Sequence, residues 1–277
     1  MNTEQNTNFM NYDVINRYQD AMFHLNSKKF NSLLSKRVKL KLNSEISGKT
    51  KLSGKDLVTT FYQDNFFLTT KNFSPNSIEI DVTNKRALYK VDALVDKIDL
   101  EEDTFHHLRI TNSTEFQISK RKKKGKIRKI NSTVKAEVIY SFSLTDANKL
   151  VEDFFEMMKT DIKAAGEFLT KDFTANVLVK TTKFETAEII SKEEFLSSKI
   201  HEIYNQNNID INYEGYPSFS DNPVSYHQIF YKKRPLDNSI TSPTRAMAFG
   251  ISGEYKVTKI GSHLKIAKAS LVITPQP

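Results

Sequence analysis

The sequence contains no cysteine and no tryptophan, and it has only eight glycines and seven prolines among 277 residues. The lack of cysteine excludes disulfides, thiolate zinc sites and a cysteine nucleophile. No stretch approaches the roughly 20 apolar residues that a membrane-spanning helix needs. The first ten residues lack the basic and apolar segments of a secretory signal. We therefore expect a cytoplasmic protein, although a signal read by a specialised secretion system is compatible with this sequence.

Motifs that carry chemistry are also scarce. The six histidines show no two- or four-residue spacing that would turn two imidazoles toward one metal ion. Residues 47–50, SGKT, resemble the end of a phosphate-binding loop, but Asn43 stands where that motif requires glycine. We read this segment as a loop between a strand and a helix. The sequence thus predicts no metal, no cofactor and no catalytic constellation.

Positive charge is concentrated in one run. Eight of the ten residues from 120 to 129 are Lys or Arg, which equals the formal net charge of +8 of the whole chain. Such a cluster can bind nucleic acid through its phosphates or an anionic membrane. The alternative, which we favour, is a solvated hairpin whose lysines keep the sheet edge from pairing with another chain. The candidate residues are Lys120, Arg121, Lys122, Lys123, Lys124, Lys126, Arg128 and Lys129.

One stretch occurs twice in the chain. Residues 53–66, SGKDLVTTFYQDNF, and residues 191–204, SKEEFLSSKIHEIY, both begin with serine and have an acidic residue three positions later. That spacing is typical of a capping box at the start of a helix, and apolar residues follow at helical intervals. A chain of this length also favours two domains. We therefore predict two copies of one domain.

The order of predicted elements supports the repeat. Each half begins with an amphipathic helix, at 14–25 and at 150–162, and continues with a short helical turn, a strand, the repeated helix and several strands. Glu115–Lys120 matches 254–259, and Lys129–Ile130 matches Lys265–Ile266. This order predicts an α+β fold with antiparallel sheets. The predicted parts are a disordered N-terminus (1–11), a first domain (12–142) and a second domain (143–277).

This succession resembles the nuclear transport factor 2-like superfamily, which includes the SnoaL-like polyketide cyclases and the ketosteroid isomerases. The resemblance covers nearly the whole chain as two tandem copies. It implies a cone in which a curved sheet wraps around the N-terminal helices and leaves an apolar pocket. It also implies that two such domains pair through their sheets, here within one chain as a pseudo-dimer.

The resemblance does not fix the function. The family's isomerases use an Asp base with acidic hydrogen-bond donors, and its cyclases use Asp and His, but neither set can be matched here. Our leading hypothesis is therefore a non-catalytic binding or scaffolding protein and not an enzyme, and its partner is an unknown protein or a small apolar ligand. We expect a monomer with an internal pseudo-two-fold axis, or a dimer of it.

Two alternatives remain open at this point. One is an isomerase- or cyclase-type enzyme that transfers protons in an apolar pocket, and the other is nucleic-acid or membrane binding through residues 120–129. Adjacent His106 and His107 should face opposite sides of a strand, so one of them should point inward. The pocket candidates are Tyr18, Tyr62, His106, His107, Tyr204 and His227.

Overall fold

The computed structural model describes residues 3–83, 86–121, 124–180, 185–197, 211–217, 224–232 and 246–275. Side chains are not described for residues 3–8, 120–124, 211–250 and 275. Contacts divide the chain into two compact units, 1–141 and 142–277. Both units follow the same order of helices and strands, which confirms the predicted α+β class and the presence of two copies.

The first unit contains three helices and six strands among its described residues. They are α1 (Thr3–Phe23), α2 (Ser27–Leu33), β1 (Leu34–Ser44), β2 (Gly48–Ser53), α3 (Lys55–Tyr62), β3 (Thr70–Val82), β4 (Ala87–Asp99), β5 (Thr104–Arg121) and β6 (Lys124–Ser143). A π-helical turn, Gln63–Phe67, extends α3.

The second unit repeats this order within its described part. Its elements are α4 (Leu144–Thr160), α5 (Ile162–Phe168), β7 (Leu169–Lys180), β8 (Glu185–Ser191), α6 (Lys192–Ser197), β9 (Ile211–Pro217), β10 (Val224–Lys232), β11 (Ala246–Ile260) and β12 (His263–Pro275). Among the described residues, no helix is long and apolar enough to cross a membrane.

The two sheets have the same strand order. The first runs β2-β1-β6-β5-β4-β3, and the second runs β8-β7-β12-β11-β10-β9. In each sheet one pair is parallel, β1 with β6 and β7 with β12. The strands that follow in each unit pair antiparallel, as β3 with β4 and β4 with β5 show in the first. The sheets therefore share one topology.

The register of the parallel pairs corrects one detail of the predicted repeat. Leu34 pairs with Ile127 as Leu169 pairs with Ile266, so Lys265 corresponds to Lys126 and not to Lys129. The side chains agree with this equivalence. The Nζ of Lys126 donates to the backbone oxygen of Ser32 at the end of α2, and the Nζ of Lys265 donates to that of Glu167 at the end of α5.

Helix α1 forms the centre of the first core because its apolar residues recur every three or four positions. Val14, Ile15 and Tyr18 are at most 1% exposed and pack against the concave face of the sheet. The helix begins at Thr3, so residues 3–11, which we predicted to be disordered, are helical. Asn11 helps to hold this segment, because it is buried and its Nδ2 donates to the backbone oxygen of Thr83 at 3.0 Å.

The repeated helix starts differently in the two units. At α6 the capping box is present: the Ser191 hydroxyl accepts from the Glu194 backbone N–H, and the Glu194 carboxylate accepts from that of Ser191. At α3 the prediction of a Ser53 cap is wrong, because Ser53 still pairs with Lys39 inside the sheet. The chain turns into the helix at Gly54, whose φ is 108°. The predicted loop at 47–50 is likewise wrong, because β2 already begins at Gly48.

Candidate functional site

The first unit contains a cavity of about 100 Å³ between its helices and the concave face of its sheet. Side chains from α1, α3, the π-turn and strands β1, β3, β4, β5 and β6 line it, and most of them are apolar. The π-turn contributes Asn65 and Phe66 to the wall. Single π-turns inside helices occur frequently at functional sites. We therefore consider the cavity as the candidate active site.

Three tyrosines bring hydroxyl groups to this cavity, Tyr18 from α1, Tyr62 from α3 and Tyr89 from β4. The rings of Tyr18 and Tyr89 meet edge to face with their centroids 5.7 Å apart, and Tyr62 lies close enough to Tyr18 to influence its pKa. Burial raises the pKa of Tyr18 well above its ordinary value, raises that of Tyr62 to about 12, and also raises that of Tyr89. All three hydroxyls therefore remain protonated donors at neutral pH.

Lys97 is the cationic side chain in the cavity wall. It lies on β4 at the end of an alternating series with Tyr89, Val91, Ala93 and Val95, so it shares the concave face with them. Burial lowers the pKa of Lys97, and the nearby charge of Asp99 partly offsets this effect. A lysine with a lowered pKa has a larger fraction of neutral amine, which can accept a proton.

The two adjacent histidines face opposite sides of β5, as expected. His106 pairs with Lys97 across the strands and shares its concave side, although it does not line the cavity itself. Its Nδ1 is buried and finds no hydrogen-bond partner among the residues that the structure describes. Burial and the charge of Lys97 lower the pKa of His106, and Asp99 acts in the opposite direction. The imidazole is therefore neutral at neutral pH.

His107 lies on the outer face of the sheet, away from the cavity. Its Nδ1 donates to Asp96 Oδ1 at 2.6 Å, and its ring stacks on Tyr140 with the centroids 4.8 Å apart. Asp96 is its direct partner across the strands. The prediction of His107 as a pocket residue is therefore wrong, because the alternation of side chains along β5 points it outward.

A polar cluster of Asn112, Thr114 and Ser132 forms one part of the concave face. Asn112 Oδ1 accepts hydrogen bonds from the hydroxyls of Thr114 and Ser132, both at 2.8 Å, and the two hydroxyl oxygens lie 2.9 Å apart. Thr114 is fully buried, while Asn112 and Ser132 line the cavity. Sequence analysis missed this cluster, and it also missed Tyr89 and Lys97.

The second unit replaces this cluster with residues that carry no polar side-chain atom. By register, Ile251 stands for Asn112, Gly253 for Thr114 and Leu271 for Ser132. The space beside Gly253 is filled by Tyr255, because a Cβ at Gly253 would lie 2.8 Å from the Tyr255 ring. The buried aromatic residues of α4 are Phe154 and Phe155, so this helix supplies no hydroxyl like that of Tyr18.

The other predicted site residues stay predictions. Tyr204 lies outside the described residues, and His227 lies on β10, whose side chains are not described. Residues 122 and 123 of the basic run are also outside the described part, as are the side chains of residues 120–124, while residues 124–129 belong to β6. Within the described ranges, no group of three or more His, Asp or Glu side chains could hold a metal ion.

Comparison with known proteins gives structural matches only. The sequence matches no family model and no curated protein. The solved structures that match include a hexachlorocyclohexane dehydrochlorinase, at 13% identity and a TM-score of 0.36, over 50% of this chain and 90% of the other. Another is the epoxide hydrolase/cyclase-like enzyme SalBIII, at 11% identity and a TM-score of 0.36, over 46% of this chain and 94% of the other. A third is an NTF2-like protein from Burkholderia xenovorans, at 13% identity and a TM-score of 0.34, over 48% of this chain and 92% of the other.

These findings correct the leading functional hypothesis. The prediction of a non-catalytic binding or scaffolding protein that is not an enzyme is wrong. Two of the matched structures have enzyme names. The cavity agrees with that correction, because a purely binding cone would be filled or wholly apolar, whereas this one carries Lys97 and three tyrosine hydroxyls.

The family resemblance, in contrast, is confirmed at the level of fold. Each unit begins with two helices and ends with four consecutive strands, and each arranges its six strands in the same order. In the first unit the sheet encloses a cavity together with its helices. The chain therefore consists of two tandem domains with the nuclear transport factor 2-like cone fold.

Proposed function

We propose that the first unit is a small-molecule enzyme of the isomerase or cyclase type, which transfers a proton within its cavity. The observation that carries this proposal is the position of Lys97 in the wall of an apolar cavity that also holds tyrosine hydroxyls. An ionisable group with a shifted pKa, facing hydrogen-bond donors in a cleft, is typical of active sites.

Lys97 acts as the general base in this proposal. Its neutral amine removes a proton from the carbon next to a substrate carbonyl: the C–H bond breaks, the proton passes to Nζ, and the electron pair moves onto the carbonyl oxygen. Return of the proton to another carbon completes an isomerisation. Attack of the carbanion on an electrophilic carbon of the same molecule closes a ring. Neither outcome needs an oxidant, a reductant or a cofactor.

Tyr62 stabilises the negative charge that develops on the substrate oxygen. Burial raises the pKa of Tyr62 to about 12, so its hydroxyl stays protonated at neutral pH. Tyr62 therefore keeps its own proton for a ligand, and donors fixed in an apolar site stabilise an oxyanion more strongly than water does. His106, neutral and beside Lys97, is placed to pass protons between the lysine and solvent.

The test uses the simplest enolisable ring ketone, cyclohexanone, as the probe. The full-length chain is incubated with it in D₂O, and NMR measures the exchange of its α-protons for deuterium. We expect catalysed exchange that falls about 10²- to 10⁴-fold in Lys97→Met, the usual contribution of a general base. Lys90→Met is the matched control, because Lys90 lies on the same strand, faces outward and pairs with Glu79. Unchanged exchange in Lys97→Met would refute the assignment.

The pH dependence gives an independent check of the same assignment. Only neutral lysine accepts a proton, so the exchange rate should rise with pH until Lys97 is deprotonated. Because burial lowers the pKa of Lys97, the rate should level off below pH 10.5, the ordinary lysine value. A rise that continues past that pH in the wild type, or an identical profile in Lys97→Met, would exclude Lys97 as the base.

A further inference from the structure

The hydroxyl of Tyr89 is buried on the cavity wall and has no hydrogen-bond partner within the described part of the chain. Tyr89 as a whole is only 1% exposed. A buried donor without a partner destabilises a fold, and nearly all such groups in proteins are paired. Phenylalanine would fill the same space without this cost. The hydroxyl is therefore best explained by a ligand that accepts its proton.

Asn112 offers a second donor on the same concave face. It lies two residues from Thr114 along β5 and so on the same face of the sheet, and Thr114 pairs with Tyr89. The hydroxyls of Thr114 and Ser132 donate to Asn112 Oδ1 and so fix the amide plane. Its Nδ2 has no partner among the described residues and is left for the cavity. Two donors on neighbouring strands thus face the same space.

The second unit shows that the fold does not require these polar groups. It builds the same sheet with Ile251, Gly253 and Leu271 at the three cluster positions, and Ile251 and Leu271 are each 1% exposed. Burying a hydrogen-bonded polar cluster is less favourable than burying aliphatic side chains of similar size. A role in ligand binding explains why only the first unit has the cluster.

We propose that Tyr89 and Asn112 form a subsite that binds a second oxygen acceptor of the substrate, distinct from the carbonyl that reacts at Lys97 and Tyr62. This inference rests on the proposed function for the identity of the first oxygen. It defines the substrate class as an apolar molecule of about one ring in size that carries two oxygen functions. The size follows from the cavity volume of about 100 Å³, which is comparable to the cavity of about 150 Å³ that accepts benzene in an engineered protein.

Two probes that differ only in the second oxygen test the subsite. Cyclohexanone carries one carbonyl, and 1,4-cyclohexanedione carries two on the same ring. NMR titration of the full-length chain gives the dissociation constant of each. We expect the dione to bind about tenfold more tightly, beyond the factor of two that its symmetry provides, because one well-placed hydrogen bond is worth about that much.

Substitutions at Tyr89 and Asn112 test whether the tighter binding of the dione depends on this subsite. Tyr89→Phe and Asn112→Ile should each remove most of the preference for the dione, and Ile251 shows that isoleucine suits this position of the sheet. Tyr12→Phe is the control, since Tyr12 is exposed on α1. Tyr89→Phe should also unfold at the same or a higher denaturant concentration than the wild type. Equal binding of both probes by the wild type, a preference kept in Tyr89→Phe, or a clear loss of stability in that variant would overturn the subsite.

The same probes separate this inference from the proposed function. A preference for the dione that depends on Tyr89, without any exchange that depends on Lys97, would overturn the enzyme and leave the subsite standing. Exchange that depends on Lys97, without a preference for the dione, would overturn the subsite and leave the enzyme standing.

Discussion

Replacing His107 with leucine should destabilise the protein strongly, although His107 lies far from the cavity chemistry. The His107 side chain is 20% exposed, whereas that of Asp96 is only 2% exposed, and a hydrogen bond of 2.6 Å joins them. Asn72 supplies a longer contact to the other carboxylate oxygen, at 3.4 Å. In His107→Leu the Asp96 carboxylate stays buried and loses its closest donor.

The magnitude follows from the burial of Asp96. Breaking a buried pair by removing one partner costs about 3–5 kcal/mol. For a chain of this size each kcal/mol lowers the melting temperature by about 2–4 °C. We therefore expect His107→Leu to melt roughly 6–20 °C below the wild type. Urea unfolding followed by circular dichroism measures the same loss as a free energy.

A double-mutant cycle isolates the pair from the rest of the sheet. Asp96→Leu combined with His107→Leu should recover most of the loss, because a buried ion pair replaced by apolar residues is often neutral in stability. His24→Leu is the control: His24 lies 3.3 Å from Asp20, but its side chain is 74% exposed, so the change should cost less than about 1 kcal/mol. A His107→Leu cost as small as that of His24→Leu, or additive losses in the double variant, would refute the reasoning.

Two further predictions concern the repeated helix and Lys97. Ser191→Ala should cost about 1 kcal/mol of stability in urea unfolding, because it removes the α6 cap, whereas Ser53→Ala should have almost no effect because Ser53 does not cap α3. Lys97→Met should be more stable than the wild type at neutral pH, since burial disfavours the charged lysine in the folded state. That advantage should shrink as the pH rises toward 10.5, because deprotonation removes the penalty, and an advantage independent of pH would contradict this explanation.

Much of the fold could be predicted because its main signals are local. The helical spacing of Val14, Ile15 and Tyr18 identifies α1, and alternation identifies the long strands. The start of α3 could not be predicted, because it depends on pairing between distant strands. Ser53 has the sequence of a cap, but its backbone pairs with Lys39 and keeps the chain extended. The pairing of β2 with β1 continues to Ser53, and for this reason the chain turns at Gly54.

The cavity was harder to predict than the fold because strands supply most of its polar groups. Tyr18 and Tyr62 were found from helical periodicity alone. Extending the alternation of β4 by one step, from Val95 to Lys97, would have placed that lysine on the concave face. The polar cluster around Asn112 could not be predicted in this way. Its contact with Ser132 depends on the register between β5 and β6, which the sequence does not reveal.

The two units differ in the polar residues of their concave faces, and this difference indicates that the active site lies in the first unit. Among the described residues both units bury the same helices against the same strand order, so stability alone would favour the apolar solution in each. At the three positions of the polar cluster the second unit has that solution, with Ile251, Gly253 and Leu271 where the first unit has Asn112, Thr114 and Ser132. The first unit keeps this polar cluster, and on the same cavity wall the Tyr89 hydroxyl is buried without a hydrogen-bond partner among the described residues. A bound ligand is the partner that would offset this cost, so we expect activity to reside in the first unit and to survive substitutions in the apolar core of the second that leave it folded.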